Sequence, residues 1–146
     1  MTLTTTKALA PMANPQNYRA YGVLLRAGQV MIAAEYIGKK FAWKFPGGGV
    51  EAHENAEQAL LREFEEETGL DIEIVAELHD PGTLISPLIC VPYTPIYFLV
   101  MGEGEPEVPD HEDVEISFKA PNEVLTSDLV PSPDKVALKR ALKRAS

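Results

Sequence analysis

One segment constrains this chain more than any other, because it predicts a helix and places most of the acidic residues of that helix at the unfavourable end. Asn55 suits a helix N-cap and Gly69 suits the left-handed position after a helix, so we expect a helix over residues 55–68. Four glutamates lie in its C-terminal half: Glu63, Glu65, Glu66 and Glu67. Acidic groups there oppose the helix dipole and repel one another, at about 0.3–1 kcal/mol each. A sequence selected only for stability would avoid this arrangement.

Three of these glutamates are spaced to share one side of the helix, because Glu63 stands three residues before Glu66 and four before Glu67. Glu65 is turned away from them and can face solvent. Converging carboxylates make a hard, oxygen-rich site, which suits Mg²⁺ or Mn²⁺ better than zinc. Because Mg²⁺ usually shares its coordination with substrate phosphates, we expect a phosphate-bearing substrate. The alternative is a solvated acidic face.

The rest of the chain is predicted to form strands and a closing helix. Apolar runs at residues 18–26 and 29–36, separated by Ala-Gly, indicate a hairpin. Further strands are predicted at Trp43–Phe45, Asp71–Leu78, Thr94–Met101 and Val114–Ala120. Ser132 is expected to cap a final helix, Ser132–Ala145, with Asp134 well placed against its dipole. This order predicts an α/β (α+β) fold, in which helices flank a mixed sheet.

Length and charge limit the possible function classes. The 146 residues suit one domain, which we place at residues 17–146, behind a loosely ordered tail, Met1–Gln16. The sequence contains no apolar run of the roughly 20 residues that a membrane-spanning helix needs, and the tail lacks the apolar centre of a signal peptide. The net charge of −9 disfavours DNA and other long polyanions as partners.

The single cysteine, Cys90, lies in an apolar stretch, and we expect a buried, inert thiol, with a reactive thiol as the alternative. One cysteine excludes an internal disulfide, which suits a cytoplasmic protein. Either a monomer or a homodimer is compatible with the sequence.

The helix glutamates belong to a longer pattern that begins in a run of three glycines. Gly48 is followed after five residues by Glu54, and after seven more by REFEEETGL, which ends at Leu70. This resembles the signature of the Nudix (MutT-type) hydrolase family, G-x5-E-x7-R-E-U-x-E-E-x-G-U, where U is a bulky apolar residue. Every fixed position matches, and the preceding Trp43–Gly49 stretch is also similar to the family. The resemblance implies an α/β/α sandwich with a catalytic loop–helix–loop.

The resemblance also implies an activity, the cleavage by water of a nucleoside diphosphate linked to a further moiety X. Divalent ions, Mg²⁺ or Mn²⁺, would polarise the phosphoryl oxygens and activate the water. The ligands that the resemblance implies for them are Glu63, Glu66 and Glu67.

The residues around these glutamates have supporting roles that follow from their chemistry. Gly47 and Gly48 allow close approach of the backbone to a substrate, and the Gly47 carbonyl can add a neutral metal ligand. Arg62, which we place on a different face of the helix from Glu66, is expected to pair with Glu54. That pair would hold the loop against the helix and orient the carboxylates.

Other candidates lie outside the pattern. By resemblance, a loop before a late strand supplies a further carboxylate as ligand or general base. In the acidic loop Gly102–Asp113 we favour Glu112, with Glu115, just beyond it, as second choice and an ordinary exposed loop as the alternative. Lys44 precedes the glycines and is placed to reach a phosphate. Trp43 is a candidate for stacking on a base, although a core position is the interpretation we favour.

The pattern defines the bond that is broken better than the molecule that contains it. We expect a small phosphorylated nucleotide, either a nucleoside triphosphate or a nucleotide sugar. The alternatives are the 5′-triphosphate end of an RNA, and a catalytically silent nucleotide sensor with the same fold. Sensors typically lose the pattern's glutamates, and this chain retains them all. Residues 80–93 are expected to border the substrate or to cover the core.

Overall fold

The structure, a computed structural model, describes residues 17–145; the predicted tail lies outside this range. The elements are β1 (Tyr18–Arg26), β2 (Gln29–Ile37), β3 (Lys40–Lys44), β4 (Gly47–Gly49), α1 (Ala56–Thr68), β5 (Glu73–His79), β6 (Leu84–Ile85), β7 (Pro92–Met101), β8 (Glu115–Lys119), α2 (Pro121–Leu125) and α3 (Ser132–Ala145). Between residues 17 and 145, no helix is long and apolar enough to cross a membrane.

The strands form one mixed sheet with β1 at its centre. The main order is β3-β2-β1-β7-β5, and β4, β6 and β8 pair with β1, β7 and β2 respectively. The β1–β7 pair is parallel, and the other pairs are antiparallel. This mixed topology confirms the predicted fold class.

The first half of β1 pairs with the three glycines rather than with β2. The last two residues of β1 pair with the start of β2. In contrast, Arg19–Tyr21 of β1 lie opposite Gly47–Gly49. The Gly22 N–H also donates to the Pro46 carbonyl at 3.0 Å. The strand predicted at Trp43–Phe45 spans Lys40–Lys44, and the three glycines after it form a second short strand. This pairing positions the glycine backbone beside α1.

The two long helices pack on opposite faces of the sheet. α1 buries Leu60 and Phe64 in one apolar cluster with residues of β1 and β7. α3 buries Ala137 and Leu138 in a second cluster, which includes Tyr97 of β7. The arrangement is an α/β/α sandwich.

The bounds predicted for α1 are confirmed by its end contacts. Asn55 Oδ1 accepts from the Gln58 N–H at 2.8 Å, and Gln58 Oε1 accepts from the Asn55 N–H at 2.9 Å, which completes a capping box. Gly69 has a φ of 74° and donates its N–H to the Glu65 carbonyl at 2.8 Å. Both ends therefore satisfy backbone groups that a helix otherwise leaves unpaired.

Two expectations about these elements are wrong, and one short helix was missed. Cys90 is exposed, because a tight turn between Ser86 and Val91 places it at the protein surface with a φ of 58°. α3 begins at Ser132 itself, so this residue is not the N-cap. α2 was not predicted, because five residues are too few to show a helical period.

Candidate functional site

Arg62 fastens the loop before α1 to the helix. Its Nε and Nη2 donate to the two carboxylate oxygens of Glu54 at 2.6 and 2.9 Å. Nη2 also donates to the Gly49 carbonyl at 3.0 Å. The hydrogen bonds from Arg62 lower the pKa of Glu54 to about 2. A bidentate pair of this kind is directional as well as strong, so the predicted Arg62–Glu54 contact fixes the loop.

The same guanidinium also contacts two helix glutamates. Nη1 donates to Glu63 Oε2 at 3.0 Å and to Glu66 Oε1 at 3.2 Å. The expectation that Arg62 lies on a different face from Glu66 is wrong, because residues four apart are neighbours on a helix surface. The Glu66 side chain is 48% exposed and that of Glu63 only 20%, so Glu66 lies at the rim of the site and Glu63 inside it.

Glu63 and Glu67 lie against the glycine backbone of β4. The Gly47 N–H donates to Glu67 Oε1 at 3.0 Å. The Glu63 carboxyl occupies the space where a side chain at Gly48 would begin, because a Cβ there would stand 2.5 Å from Glu63 Oε1. The glycines are therefore needed for the carboxylates to occupy these positions.

The electrostatics of this pair suit a divalent cation. Burial raises the pKa of Glu67 to about 7, and the charge of Glu63 adds to this shift. Desolvation likewise raises the pKa of Glu63. Burial makes the negative charge of these carboxylates unfavourable. A bound Mg²⁺ or Mn²⁺ would stabilise that charge, since both ions prefer oxygen ligands. The donor set therefore fits the predicted ion.

A tighter group of possible ligands lies outside the helix. In the described range, Glu51, His53 and Glu54 are the one set of three whose ligand atoms lie within 4.8 Å of one another. Glu51 and His53 are exposed, and Glu54 is engaged by Arg62. We assign no metal to this group.

A cavity of about 150 Å³ lies on the α3 side of the sheet. Its walls come from the first half of β1, the loop at residues 86–91, β7 and the start of α3. Leu88 and Ile89 line it, as expected for the loop at residues 80–93, but Leu84 and Ile85 form β6 instead. This volume is below the roughly 300 Å³ of a pocket that encloses a whole drug-sized ligand, so it suits one part of a substrate.

Two cations line the cavity near the glycine strand. Lys44 is only 7% exposed, and its Nζ lies 3.6 Å from Glu35 Oε1 and 5.4 Å from the centroid of the Tyr21 ring. Burial lowers the pKa of Lys44, but Glu67 and other neighbours raise it overall. Arg19 Nε donates to the Tyr21 hydroxyl at 2.7 Å. Lys44 thus lines the cavity and also acts electrostatically on Glu67. This position is compatible with the predicted contact between Lys44 and a phosphate.

A buried carboxylate lines the same cavity. Asp134 is 4% exposed, and the Tyr97 hydroxyl donates to its Oδ1 at 2.6 Å. Burial raises the pKa of Asp134 to about 7, despite the opposing effects of Tyr97 and Lys44. From the sequence, Asp134 was assigned only to the helix dipole.

The cavity and the glutamates do not include two of the predicted residues. Trp43 is half-buried against the α3-side core, with Lys119 Nζ 4.4 Å from its ring centroid. It does not line the cavity. Glu112 lies in a turn with its side chain 30% exposed and 3.6 Å from His111 Nε2. No hydrogen bond or ion pair of the described residues links Glu112 to Glu63, Glu66 or Glu67.

Arg19, Tyr21 and Asp134 were missed from the sequence as site residues. A signal exists for Arg19, which is a cation inside an otherwise apolar strand. Asp134 has no comparable signal, because an acidic residue in the first turn of a helix is ordinary.

The buried Asp134 carboxyl predicts a pH dependence of stability. Its folded pKa of about 7 exceeds its usual 3.8, so the folded protein binds this proton more tightly than the unfolded chain does. The stabilisation is complete below pH 3.8 and is lost as the pH rises through 7. This group should therefore lower the free energy of unfolding of the wild type by about 2–4 kcal/mol as the pH rises between these two values. We expect Asp134→Asn to lack this decrease. Urea unfolding of both proteins at pH 5 and pH 8 measures it, and parallel profiles would contradict the prediction.

Solved structures of known proteins resemble most of the chain, and sequence relatives resemble part of it. The MutT NUDIX hydrolase of Burkholderia pseudomallei superposes with a TM-score of 0.71 at 22% identity, over 85% of this chain and 96% of that one. A NUDIX hydrolase of Nitrosomonas europaea gives 0.73 at 16%, over 88% and 89%. At these identities the likeness concerns the fold alone.

Sequence relatives match shorter segments. An RNA pyrophosphohydrolase of Cellvibrio japonicus is 48% identical over 59 residues, which is 38% of this chain and 35% of that protein. That of Alkalilimnicola ehrlichii is 39% identical over 100 residues, 59% of this chain and 54% of that protein. The chain thus spans about a third to a half of these relatives' lengths. The NUDIX domain family itself matches residues 16–140. The chain therefore belongs to the Nudix family.

Proposed function

We propose that this protein is a divalent-metal-dependent pyrophosphohydrolase that cleaves a phosphoanhydride bond in a nucleoside diphosphate linked to a further moiety. The observation that supports this most directly is the contact of Glu63 and Glu67 with the glycine backbone of β4. There, both carboxylates are desolvated, and the charge of Lys44, which lines the cavity, acts on Glu67. The first expected substrates are nucleoside triphosphates and nucleotide sugars.

The proposed ligands of Mg²⁺ or Mn²⁺ are Glu63, Glu66 and Glu67, with the Gly47 carbonyl as a neutral donor. When bound, the ion would supply charge neutralisation at the phosphoryl oxygens and lower the pKa of water. Arg62 holds Glu63 and Glu66 through one nitrogen and Glu54 through the other two, so it sets the orientation of the carboxylates. Such supporting contacts are commonly worth 10- to 100-fold in metal affinity or activity.

The cavity residues have a different proposed task, which is to bind the nucleotide. Lys44 and Arg19 line the cavity, and a Cβ at Gly49 would lie 3.7 Å from Arg19 Nη1, so positive charge is available to a phosphate chain close to the glycines. The space beside Gly48 is taken by the Glu63 carboxyl, so the proposed contribution of Gly48 to substrate binding is to let that carboxyl lie close to the backbone. Trp43 is not needed for this role. Glu112 remains a candidate general base, to be tested separately.

The relatives' names favour a second candidate, hydrolysis of the 5′-triphosphate end of an RNA. Those relatives match this chain over partial segments, of 59 and 100 residues. The same kind of phosphoanhydride bond would be cleaved in both cases. The two candidates differ in whether the nucleotide is free or is the first nucleotide of an RNA.

The decisive experiment is a substrate panel with controlled metal. We expect phosphate or pyrophosphate release with Mg²⁺ or Mn²⁺ from at least one member of a panel of nucleoside triphosphates, nucleotide sugars and 5′-triphosphate RNA. Excess EDTA should abolish it, and added Mg²⁺ should restore it. Restoration excludes denaturation as the cause of the loss.

The products and the binding data separate the alternatives. A nucleoside monophosphate product from a nucleotide, or a 5′-monophosphate from RNA, supports the proposal. Nucleotide binding by calorimetry without turnover of any panel member would overturn it and favour the silent sensor. Turnover that is unchanged by EDTA would contradict the metal requirement.

A further inference from the structure

We propose that the tip of the β2–β3 hairpin is a docking surface for single-stranded RNA, on which the nucleotides that follow the hydrolysed 5′ end are stacked. The surface consists of Tyr36, Lys39, Lys40 and Phe41, and we call it the hairpin platform. This inference rests on the proposed function in its RNA form. It concerns contacts away from the phosphoanhydride bond, so binding measurements can test it independently of hydrolysis.

Two aromatic side chains lie exposed and side by side on the platform. Tyr36 is 67% exposed and Phe41 is 40% exposed, and the two residues are paired across β2 and β3. Their ring centroids are 5.2 Å apart, with the planes tilted by 59°. Ile89 is also exposed, and a Cβ at Gly38 would lie 3.1 Å from its Cγ2, so the apolar surface continues to the loop beside the hairpin. A contiguous apolar surface of this kind indicates a contact with a partner.

The platform has the opposite charge to the protein as a whole. Residues 36–44 contain three lysines and no acidic residue, in a chain with a net charge of −9. Lys44 is buried, whereas Lys39 and Lys40 are exposed. Within residues 17–145, neither exposed lysine forms an ion pair with a carboxylate. Their charge complements the phosphates of a nucleic acid, and repulsion from the rest of the acidic surface limits the contact to a few nucleotides.

An open groove connects the platform to the cavity. The groove has a volume of about 530 Å³, and Lys40 and Phe41 line it. Three residues line both the groove and the cavity: Pro87, Leu88 and Pro131. Among the residues that line the groove, Asp128 is the one carboxylate, so the groove presents little negative charge to a phosphate chain. A polynucleotide whose first nucleotide contacts the cavity can therefore continue along the groove towards the platform.

Single-stranded RNA is the occupant that these features fit best. Proteins hold single strands by stacking bases on aromatic rings and by placing cations along the backbone, and the platform has both groups. A free nucleoside triphosphate has no second base for Tyr36 and Phe41. RNA synthesis begins with a nucleoside triphosphate, so the 5′ end of the chain retains the bond that the proposed hydrolase cleaves. The rival occupant is a second copy of this protein, but two chains of charge −9 repel each other.

The first test compares two probes on the wild type. The probes are AMP and a 5′-monophosphate RNA tetranucleotide that begins with the same nucleotide and continues with three uridines. Neither contains a phosphoanhydride bond, so both affinities can be measured by calorimetry with Mg²⁺. We expect the tetranucleotide to bind at least about 10-fold more tightly, because stacking of a base on an aromatic ring is commonly worth this much. Equal affinities would overturn the inference and leave the proposed hydrolase intact.

The second test removes both rings in the double variant Tyr36→Ala/Phe41→Ala. We expect its affinity for the tetranucleotide to fall about 10-fold or more, with its affinity for AMP within about two-fold of the wild type. Tyr36→Phe keeps an aromatic ring and should retain tetranucleotide binding. Undiminished binding of the tetranucleotide by the double variant would contradict the platform. If the double variant does not fold, Tyr36→Ala alone should show the same selective loss, because that side chain is mostly exposed.

The third test removes two positive charges at a time. Lys39→Gln/Lys40→Gln is expected to weaken tetranucleotide binding roughly 3- to 10-fold and to lower its dependence on NaCl concentration. Lys139→Gln/Lys143→Gln, at exposed positions of α3, is the matched control and should bind the tetranucleotide like the wild type. A loss confined to the α3 variant would overturn the platform and move the RNA contact to that helix. No loss in the hairpin variant, or equal losses in both, would also contradict the platform.

Oligomeric state and turnover separate the remaining outcomes. Sedimentation equilibrium should give the same mass for the wild type and for Tyr36→Ala/Phe41→Ala. A wild-type dimer that this variant dissociates would assign the surface to a second copy and overturn the RNA contact. On 5′-triphosphate RNA we expect the variant to raise KM with kcat little changed, and on a free nucleoside triphosphate to change neither. No turnover of any substrate, with length-dependent binding retained, would contradict the hydrolase and support the platform in an RNA-binding protein.

Discussion

Replacement of Glu67 by glutamine is expected to lower kcat for nucleotide hydrolysis at least about 100-fold, without loss of the fold. Removal of one preorganised charge-stabilising group commonly costs this much. Glutamine keeps an oxygen that can accept the Gly47 N–H, so the local structure should be retained. The ionised carboxylate is destabilised by burial in the metal-free protein, which raises its pKa to about 7. We therefore expect the variant to unfold at the same temperature as the wild type or higher at pH 8 without metal.

The matched control is Glu65→Gln on the exposed side of the same helix. It changes the net charge equally and should leave kcat within about two-fold, because surface substitutions away from special features have small effects. Steady-state kinetics with saturating Mg²⁺ and thermal unfolding measure both properties. Equal turnover by Glu67→Gln and the wild type would remove Glu67 from the proposed site. A large loss in both variants would point to the overall charge of the helix instead.

Alanine substitutions at Gly47 and Gly48 are expected to fail in different ways. A Cβ at Gly47 would stand 2.1 Å from the Ala20 carbonyl oxygen, and the φ of 150° there is unfavourable for alanine. Neither the backbone of β1 nor this dihedral can adjust easily. We expect Gly47→Ala to lower the free energy of unfolding by about 3 kcal/mol or more, from backbone strain and overpacking together.

At Gly48 the obstructing group is the carboxyl of Glu63, which is the movable end of a side chain. We expect Gly48→Ala to displace that carboxyl, with a stability loss of about 1 kcal/mol or less and a fall in kcat of at least about 10-fold. Urea unfolding and steady-state kinetics on both variants distinguish the two outcomes. Equal stability of the two variants, or full activity in Gly48→Ala, would contradict the packing described for β4.

The local part of the site could be predicted because its contacts are close in sequence. Asn55 and Gly69 set the ends of α1 through their own side-chain and backbone chemistry, and both predictions are confirmed. The Arg62–Glu54 pair spans eight residues, and the spacing of the pattern was sufficient to indicate it. The placement of Arg62 relative to Glu66 was wrong, although helix geometry alone could have corrected it.

The cavity could not be predicted because its residues meet only through tertiary pairing. Asp134 and Tyr97 stand 37 positions apart in sequence and are brought together by the packing of α3 on β7. The exposure of Cys90 depends on a turn whose hydrogen bonds join Ser86 to Val91, so the apolar character of neighbouring residues misled the prediction. Trp43 carries a ring suited to stacking, but strand register directs it to the core side.

The sequence by itself determined the helix, its acidic C-terminal half and the glycines beside it, because these depend on spacing within one continuous segment. It therefore determined the family and the class of chemistry we propose. The tertiary structure alone decided which carboxylates are desolvated, since burial depends on how β4 pairs with β1 beneath α1. It also decided that Asp134, Lys44 and Arg19 line one cavity, since they come from three separate elements of the sandwich.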